Sequence, residues 1–339
     1  MLASATDKLD GRWIFAGSSL LSAASSLAFA LADGFWTGLW LRFLSGASLA
    51  GVQMPGLKLL ADRTSGRARA RGSAIYTSCY ALGAAGSFLL AGVVEGFSGW
   101  RSTFVVSSIG PLLGLAVIPL LPPVLEDAAA AAPRLDFRPI FRNRALMAYV
   151  IAFAGNTWEV FAVRVWFVAY LTWILGLPGN RLTLPGPAVI SGLASLVGFP
   201  VNIAVAELAL RYGRSMVIAI CMSSVLVCIA LAITAGGSVR IVLPLLVLVQ
   251  VTSIGDVGAL TSGAVEAAAA ARRGAALAVY AFTGYVTAFA GPVVAGVALD
   301  WFGGAGRPKA WSAAFAAIAL GSAVAACAVA VARPHHDRA

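Results

Sequence analysis

The chain has 339 residues, 60% of them hydrophobic and only 11% charged, with a net charge of +10. So much apolar side chain cannot be hidden inside a soluble fold of this length, and uncharged runs of about 20 residues recur along it, which is the length a bilayer requires. The positive charge does not point to nucleic acid, because the basic residues sit in short loops between apolar runs and not on one face with interleaved aromatics.

In chain order, the apolar runs predict helices near 13 to 32, 36 to 59, 73 to 94, 102 to 121 and 145 to 173. Five more follow near 186 to 208, 215 to 235, 240 to 262, 275 to 299 and 310 to 332. The expected class is an all-α polytopic membrane protein with ten transmembrane helices, both ends on one side. Ala28 to Ala32 before Asp33 offers a signal-peptidase reading of the first run, but the run is long for a signal core.

Positive charge is retained in the cytoplasm, so the loops fix the orientation. Seventeen of the 24 Lys and Arg residues fall on the amino-terminal side. Only Arg101, Arg181, Arg240, Arg307 and Lys309 fall on the other, which predicts cytoplasmic termini in a cell (inner) membrane. Arg42 and Arg164 are left within spans.

Sliding the chain along itself brings Gly11-Arg12 onto Gly213-Arg214 and Arg71-Gly72 onto Arg273-Gly274 at one shift, and Ala91-Gly92-Val93 onto Ala295-Gly296-Val297 at nearly the same one. Three ordered matches predict two related halves. The first is residues 1–121 and the second 145–333, joined by a Pro- and Ala-rich cytoplasmic linker, 122–144, and followed by a polar tail, 334–339. About 60 more residues precede the Gly-Arg pair in the second half than in the first, enough for two spans. The opening DKLDGR is accordingly expected to be an interhelical loop whose preceding helices are missing, giving bundles of four and six.

Asp7, Lys8, Gly11 and Arg12 resemble the later part of the loop signature G-x-x-x-D-R/K-x-G-R-R/K of the major facilitator superfamily, with one extra residue before Gly11. Arg211, Gly213 and Arg214 fit the second copy. Leu210 stands where the acid is expected, and Glu207, one turn earlier, is its substitute. Arg42-Phe-Leu-Ser-Gly46 is similar to the family's R-x-x-x-G, and residues 143–167, NRALMAYVIAFAGNTWEVFAVRVWF, are similar to seventh helices of nitrate- and cyanate-porter-like branches. The resemblance implies two rocking bundles, a gating role for the two loops, and proton coupling or recognition of substrate charge for Arg42. Gly83-Ala-Ala-Gly86-Ser87 lacks the Gly-Pro that antiporters carry in this helix, and Gly291-Pro292 lies in the later equivalent.

Charges at membrane depth are costly and tend to face a cavity or a partner. Among the 14 acidic residues, only Glu159 and Asp256 lie well inside predicted spans, and with Arg42 and Arg164 they make four ionisable groups at that depth. Asn156, Glu159, Trp166 and Tyr170 fall within an arc of roughly 80° at ~100° per residue, a candidate cavity stripe. The plainer alternative is that Trp166 and Tyr170 belong to an interfacial belt and that Glu159 is structural. Arg164 lies about 140° from Glu159 by the same count, so the two are not expected to pair. Asp256, among Thr252, Ser253 and neighbouring glycines, is either a proton carrier or a packing acid satisfied by hydroxyls or Arg42. Arg42 either binds an anionic substrate or holds that acid.

Gly83, Gly86, Gly92, Gly110, Gly114, Gly291 and Gly296 are spaced for close helix approach, and Pro111, Pro187, Pro200, Pro244 and Pro292 for kinks. Cys79, Cys221, Cys228 and Cys327 lie in apolar runs without CxxC spacing and read as packing residues. His335 and His336 lie in the tail, and no phosphate loop, metal cluster or nucleophile with its base is present, so no cofactor and no enzyme activity are expected. The expected function is a monomeric secondary transporter of a small solute or ion, an anion if Arg42 and Arg164 reach the cavity, working in the lipid bilayer without nucleic acid. The alternative is a non-transporting fragment or membrane scaffold.

Overall fold

The computed structural model describes residues 11–62, 66–120, 138–180, 182, 184–268 and 273–331. Asp7, Lys8, most of the 122–144 linker and the 334–339 tail lie outside the described residues. Every regular element among the described residues is helical. The chain divides into two compact units, Met1–Pro133 and Arg134–Ala339.

In the first unit, α1 (Gly11–Ala30) packs against α2 (Phe35–Asp62), and α3 (Gly66–Ser107) and α4 (Ile109–Val117) also pack on α1. The 73-to-94 and 102-to-121 runs are joined in one helical stretch that breaks at Gly99, whose φ of 76° lies in the region that favours glycine. Beyond the break, Arg101 donates to Asp33 Oδ1 at 2.6 Å and to the Ala30 carbonyl at 3.1 Å, fastening this stretch to the exposed end of α1.

In the second unit, a short helix, α5 (Arg138–Arg142), leads into α6 (Arg144–Gly176). The Asn143 side chain caps α6 by accepting from the Leu146 N–H at 3.1 Å, while its amide donates to the Ala267 carbonyl at 2.8 Å. There follow α7 (Pro187–Tyr212), α8 (Arg214–Thr234), α9 (Val239–Gly255), α10 (Val257–Ala267), α11 (Arg273–Trp301) and α12 (Pro308–Val331). Pro187 opens α7, where its missing N–H costs nothing.

α6 is the axis of this unit and packs against α9, α10, α11 and α12. Glycines make those contacts close. A Cβ on Gly155 would stand 2.3 Å from the Gly321 carbonyl oxygen of α12, and one on Gly291 of α11 would stand 2.3 Å from the Trp158 carbonyl oxygen. Gly296 is also tight, with Trp166 3.0 Å away, but Gly83, Gly86 and Gly110 have nothing within 4 Å. The expectation of close approach therefore fails at those three, and the Gly155–Gly321 crossing replaces it.

Among the described residues, eight stretches are long and apolar enough to cross a membrane. The Leu82–Leu120 stretch contains the Gly99 break, and Val239–Thr261 runs across the α9–α10 break. Large apolar side chains such as Ile233, Phe282 and Phe289 point outward and are more than 70% exposed. That exterior suits lipid, since hydrocarbon does not penalise exposed apolar side chains. The buried core holds Phe167, Tyr170, Leu171, Trp311 and Phe315.

Candidate functional site

The 240-to-262 run was expected as one unbroken helix, and here the structure corrects the sequence reading. The helix stops at Gly255, Asp256 has φ −94° and ψ −10°, and α10 begins at Val257. Two glycines flank the break. Asn202 of α7 accepts the Gly258 N–H at 3.1 Å, satisfying a backbone donor that the interrupted ladder frees. Discontinuous helices with backbone groups turned inward are where transporters build their sites.

Asp256 stands at this break, 3% exposed, with both carboxylate oxygens engaged. Asn156 of α6 donates to Oδ1 at 2.6 Å and to the Ser253 carbonyl at 2.8 Å. Cys221 of α8 donates its thiol to Oδ2 at 3.1 Å. Glu159, one turn beyond Asn156 on α6, is 1% exposed; Oε1 accepts from the Ser224 hydroxyl and, at 3.7 Å, from the Cys228 thiol. Ser224 also contacts the Thr252 hydroxyl of α9 at 3.1 Å. Gln250, one helical turn before Ser253, donates to Ser195 of α7 at 2.8 Å.

Four helices thus supply one buried polar layer containing two carboxylates. Among the described residues neither carboxylate has an ion-pair partner; the ion pair found there is Arg101 with Asp33. Among the described residues the side chains donating to the two acids are hydroxyl, thiol and amide groups. Arg164 lies 5.5 Å from the Phe161 ring centroid and makes no pair with Glu159.

The proposed stripe on α6 divides in two. Asn156 and Glu159 belong to the polar layer, whereas Tyr170 is fully buried among Trp173, Trp311 and Phe315, with ring centroids 4.8 to 5.8 Å away. Trp166 packs on Trp311 and donates its indole N–H to the Pro292 carbonyl at 3.0 Å. Tyr170 belongs to the buried core of this unit, and Trp166 packs against it.

Arg42 lies on α2 of the first unit. Its guanidinium carbon lies 4.0 Å from the Phe29 ring centroid and 4.9 Å from that of Phe104, while Nε and Nη2 are buried without a hydrogen-bond partner among the described residues. Ring faces stabilise the charge without occupying the N–H edge. Nε and Nη2 together form the two-donor edge by which a guanidinium pairs with an oxyanion.

Of the two loops, the first is represented here by Gly11 and Arg12, which open α1. The second is a one-residue junction: Gly213, at φ 62° and ψ −144°, closes α7 by donating to Ala209 O at 2.8 Å and starts α8. Arg211 leans over the Tyr212 ring, and exposed Glu207 makes no ion pair with Arg211 or Arg214. No group of His, Cys, Asp and Glu able to hold a metal occurs among the described residues.

Sequence reasoning missed Cys221, Ser224 and Cys228. Their spacing of three and four places them within about 60° on one helical face, a signal hidden by reading each cysteine as an isolated packing residue.

The family model of the Major Facilitator Superfamily matches residues 1–292. Organic cation/carnitine transporter 4 of Arabidopsis thaliana is 34% identical over 99 residues, which are 29% of this chain and 18% of that protein, so the matched stretch spans under a fifth of that relative. Among solved structures, a bacterial homologue of the human lysosomal transporter Spinster, inward-facing and unoccupied, gives a TM-score of 0.71 at 14% identity, covering 97% of this chain and 83% of that one. The nucleoside transporter NupG gives 0.70 at 14% identity over 98% and 86%, and the Escherichia coli fucose:proton symporter FucP gives 0.67 at 15% identity over 98% and 86%. At these identities the likeness concerns the fold.

Proposed function

The chain belongs to the Major Facilitator Superfamily and is an integral, multi-pass membrane protein, and on that premise we propose that it is a secondary transporter moving a small solute by alternating access, with Glu159 and Asp256 as its proton-linked pair. The observation that carries this reading is two buried carboxylates, Glu159 on α6 and Asp256 at the α9–α10 break, held among the described residues by neutral donors. A charge at that depth costs a few kcal/mol, and a bound proton removes the cost. Proton occupancy therefore changes the relative stability of conformations that bury the layer and conformations that wet it, which is the differential interaction a conformational switch requires.

In this reading ten crossings form two rocking bundles, with Gly11-Arg12 and Gly213-Arg214 in their gating loops and both termini in the cytoplasm of an inner membrane. Arg42, whose Nε and Nη2 have no hydrogen-bond partner among the described residues, is the contact for an anionic group of the solute. The protein works as a monomer. The solute classes to test first are a carnitine-like carboxylate, nucleosides, fucose and nitrate, drawn from the matched proteins and the porter-like residues 143–167.

The test begins with thermal stabilisation of the purified protein by that panel, since a ligand that binds the folded state raises its melting temperature. The stabilising solute is then followed into proteoliposomes. Uptake driven by an imposed pH gradient, and lost in Glu159→Gln and Asp256→Asn, is the expected result. Uptake indifferent to the gradient, or unchanged in Glu159→Gln, Asp256→Asn and Arg42→Ala together, overturns the proposal.

A further inference from the structure

One face of α8 touches both acids. Cys221 reaches Asp256, Cys228 reaches Glu159, and Ser224 between them also reaches Glu159. Both thiols are buried, Cys221 at 1% and Cys228 at 0%, whereas Cys79 and Cys327 are exposed. The titratable groups facing Glu159 are Asp256, Cys221 and Cys228, and those facing Asp256 are Glu159, Cys221 and Tyr280. Each acid thus has a thiol of its own.

We propose that Cys221 and Cys228 are positioning residues, releasable donors by which α8 holds one carboxylate of α6 and one at the α9–α10 break. The physical reason lies in what happens when the contact ends. A buried hydroxyl or amide that loses its acceptor is left with a substantial desolvation cost. A thiol is a weak donor that otherwise behaves as a small apolar side chain. It can hold a carboxylate in one state and lie against apolar neighbours in the next, so α8 separates from the acids at small cost. A serine at either position would hold more firmly and release less readily.

The functional consequence rests on the reading of Glu159 and Asp256 as a proton-linked pair, but the contact itself is tested without transport. The S–H stretching band in the infrared spectrum lies apart from other protein bands and moves when the thiol is hydrogen-bonded. Full-length protein carrying Cys79→Ala and Cys327→Ala, with Cys228→Ala or Cys221→Ala added, isolates each buried thiol in turn. The Cys221 band is expected at a hydrogen-bonded position, shifting toward that of a free thiol in Asp256→Asn and staying put in Glu159→Gln. The Cys228 band should show the reverse pattern.

Bands at the free-thiol position, or bands unmoved by either substitution, overturn the proposal. Should the acid variants not fold, titrating the parent protein serves instead: a band that moves with pH supports the contact, and free-thiol bands at every pH refute it. Bands that follow the acid substitutions but stay fixed with pH leave the thiol contacts standing and sink the proton-linked reading. In uptake, Cys221→Ser and Cys228→Ser are expected to raise the melting temperature and slow turnover, while the alanine variants lower the melting temperature without slowing turnover; equal turnover in serine and alanine variants refutes the release role.

Discussion

Asn156 and Asp256 meet at 2.6 Å inside the second unit, an amide on α6 donating to a carboxylate at the break between α9 and α10. The same amide also donates to the Ser253 carbonyl, so one side chain ties the interrupted helix to the axis of the bundle at two points. Removing it in Asn156→Ala leaves two buried acceptors without a donor, each costing about 1–3 kcal/mol. The melting temperature of the purified protein should fall clearly. Asn156→Asp sets two carboxylates face to face, and its deficit should shrink as pH falls, because protonating one acid turns repulsion into an O–H···O bond. A deficit constant with pH would show that the two side chains part in that variant.

The two acids should divide coupling from movement. Glu159→Gln keeps an oxygen for Ser224, and Asp256→Asn keeps one for Asn156, so the fold is expected to survive both changes. With the proton site neutralised, accumulation against a gradient should disappear while exchange of labelled for unlabelled solute persists. Proteoliposome exchange and gradient-driven uptake measured side by side check this. Variants that lose both activities and their solute stabilisation would place the acids in solute binding.

Much of the fold was legible in the sequence because the bilayer imposes so coarse a rule. A run near 20 apolar residues can only be helical in lipid, and α6, α8 and α12 lie within a few residues of the predicted runs. The two acids were legible for the same reason, as charges where charge is costly. Breaks were less so. Asp256 ends α9 through a local backbone turn, and Asn202 answers it by accepting the Gly258 N–H, a contact across 56 residues that no periodicity encodes. The thiols were hidden too, since cysteine in an apolar run looks like packing until its neighbours from other helices are known. Trp166 and Tyr170 share a helical face with Glu159, yet both pack on Trp311 of α12, Tyr170 as buried core and Trp166 partly buried against it.

The crossing of α6 and α12 offers a test of packing alone. At Gly155 a methyl group would meet the Gly321 carbonyl oxygen at 2.3 Å, a backbone atom that moves only if the helices separate. Gly155→Ala and Gly321→Ala are each expected to cost about 1–3 kcal/mol, as overpacking does. Gly83→Ala, where nothing lies within 4 Å, should be neutral or slightly stabilising, since alanine is the better helix former. Thermal unfolding of the three variants in one detergent makes the comparison. Equal melting temperatures would mean that the crossing relaxes without loss.

The junction at Gly213 argues from the backbone instead. With φ 62° and ψ −144°, it occupies a region that residues with a Cβ scarcely enter, although nothing lies within 4 Å of where that Cβ would be. Steric crowding from neighbours therefore plays no part, and any cost of Gly213→Ala is conformational, on the order of 1–3 kcal/mol. Relief requires the α7–α8 turn to change its angle, which would draw Cys221 and Ser224, two and three turns along α8, away from the acids they hold. The variant is accordingly expected to lose thermal stability and, in the S–H spectrum, to move the Cys221 band toward that of a free thiol. A stability loss with the band unmoved would mean that the turn absorbs the strain locally and that α8 keeps its place.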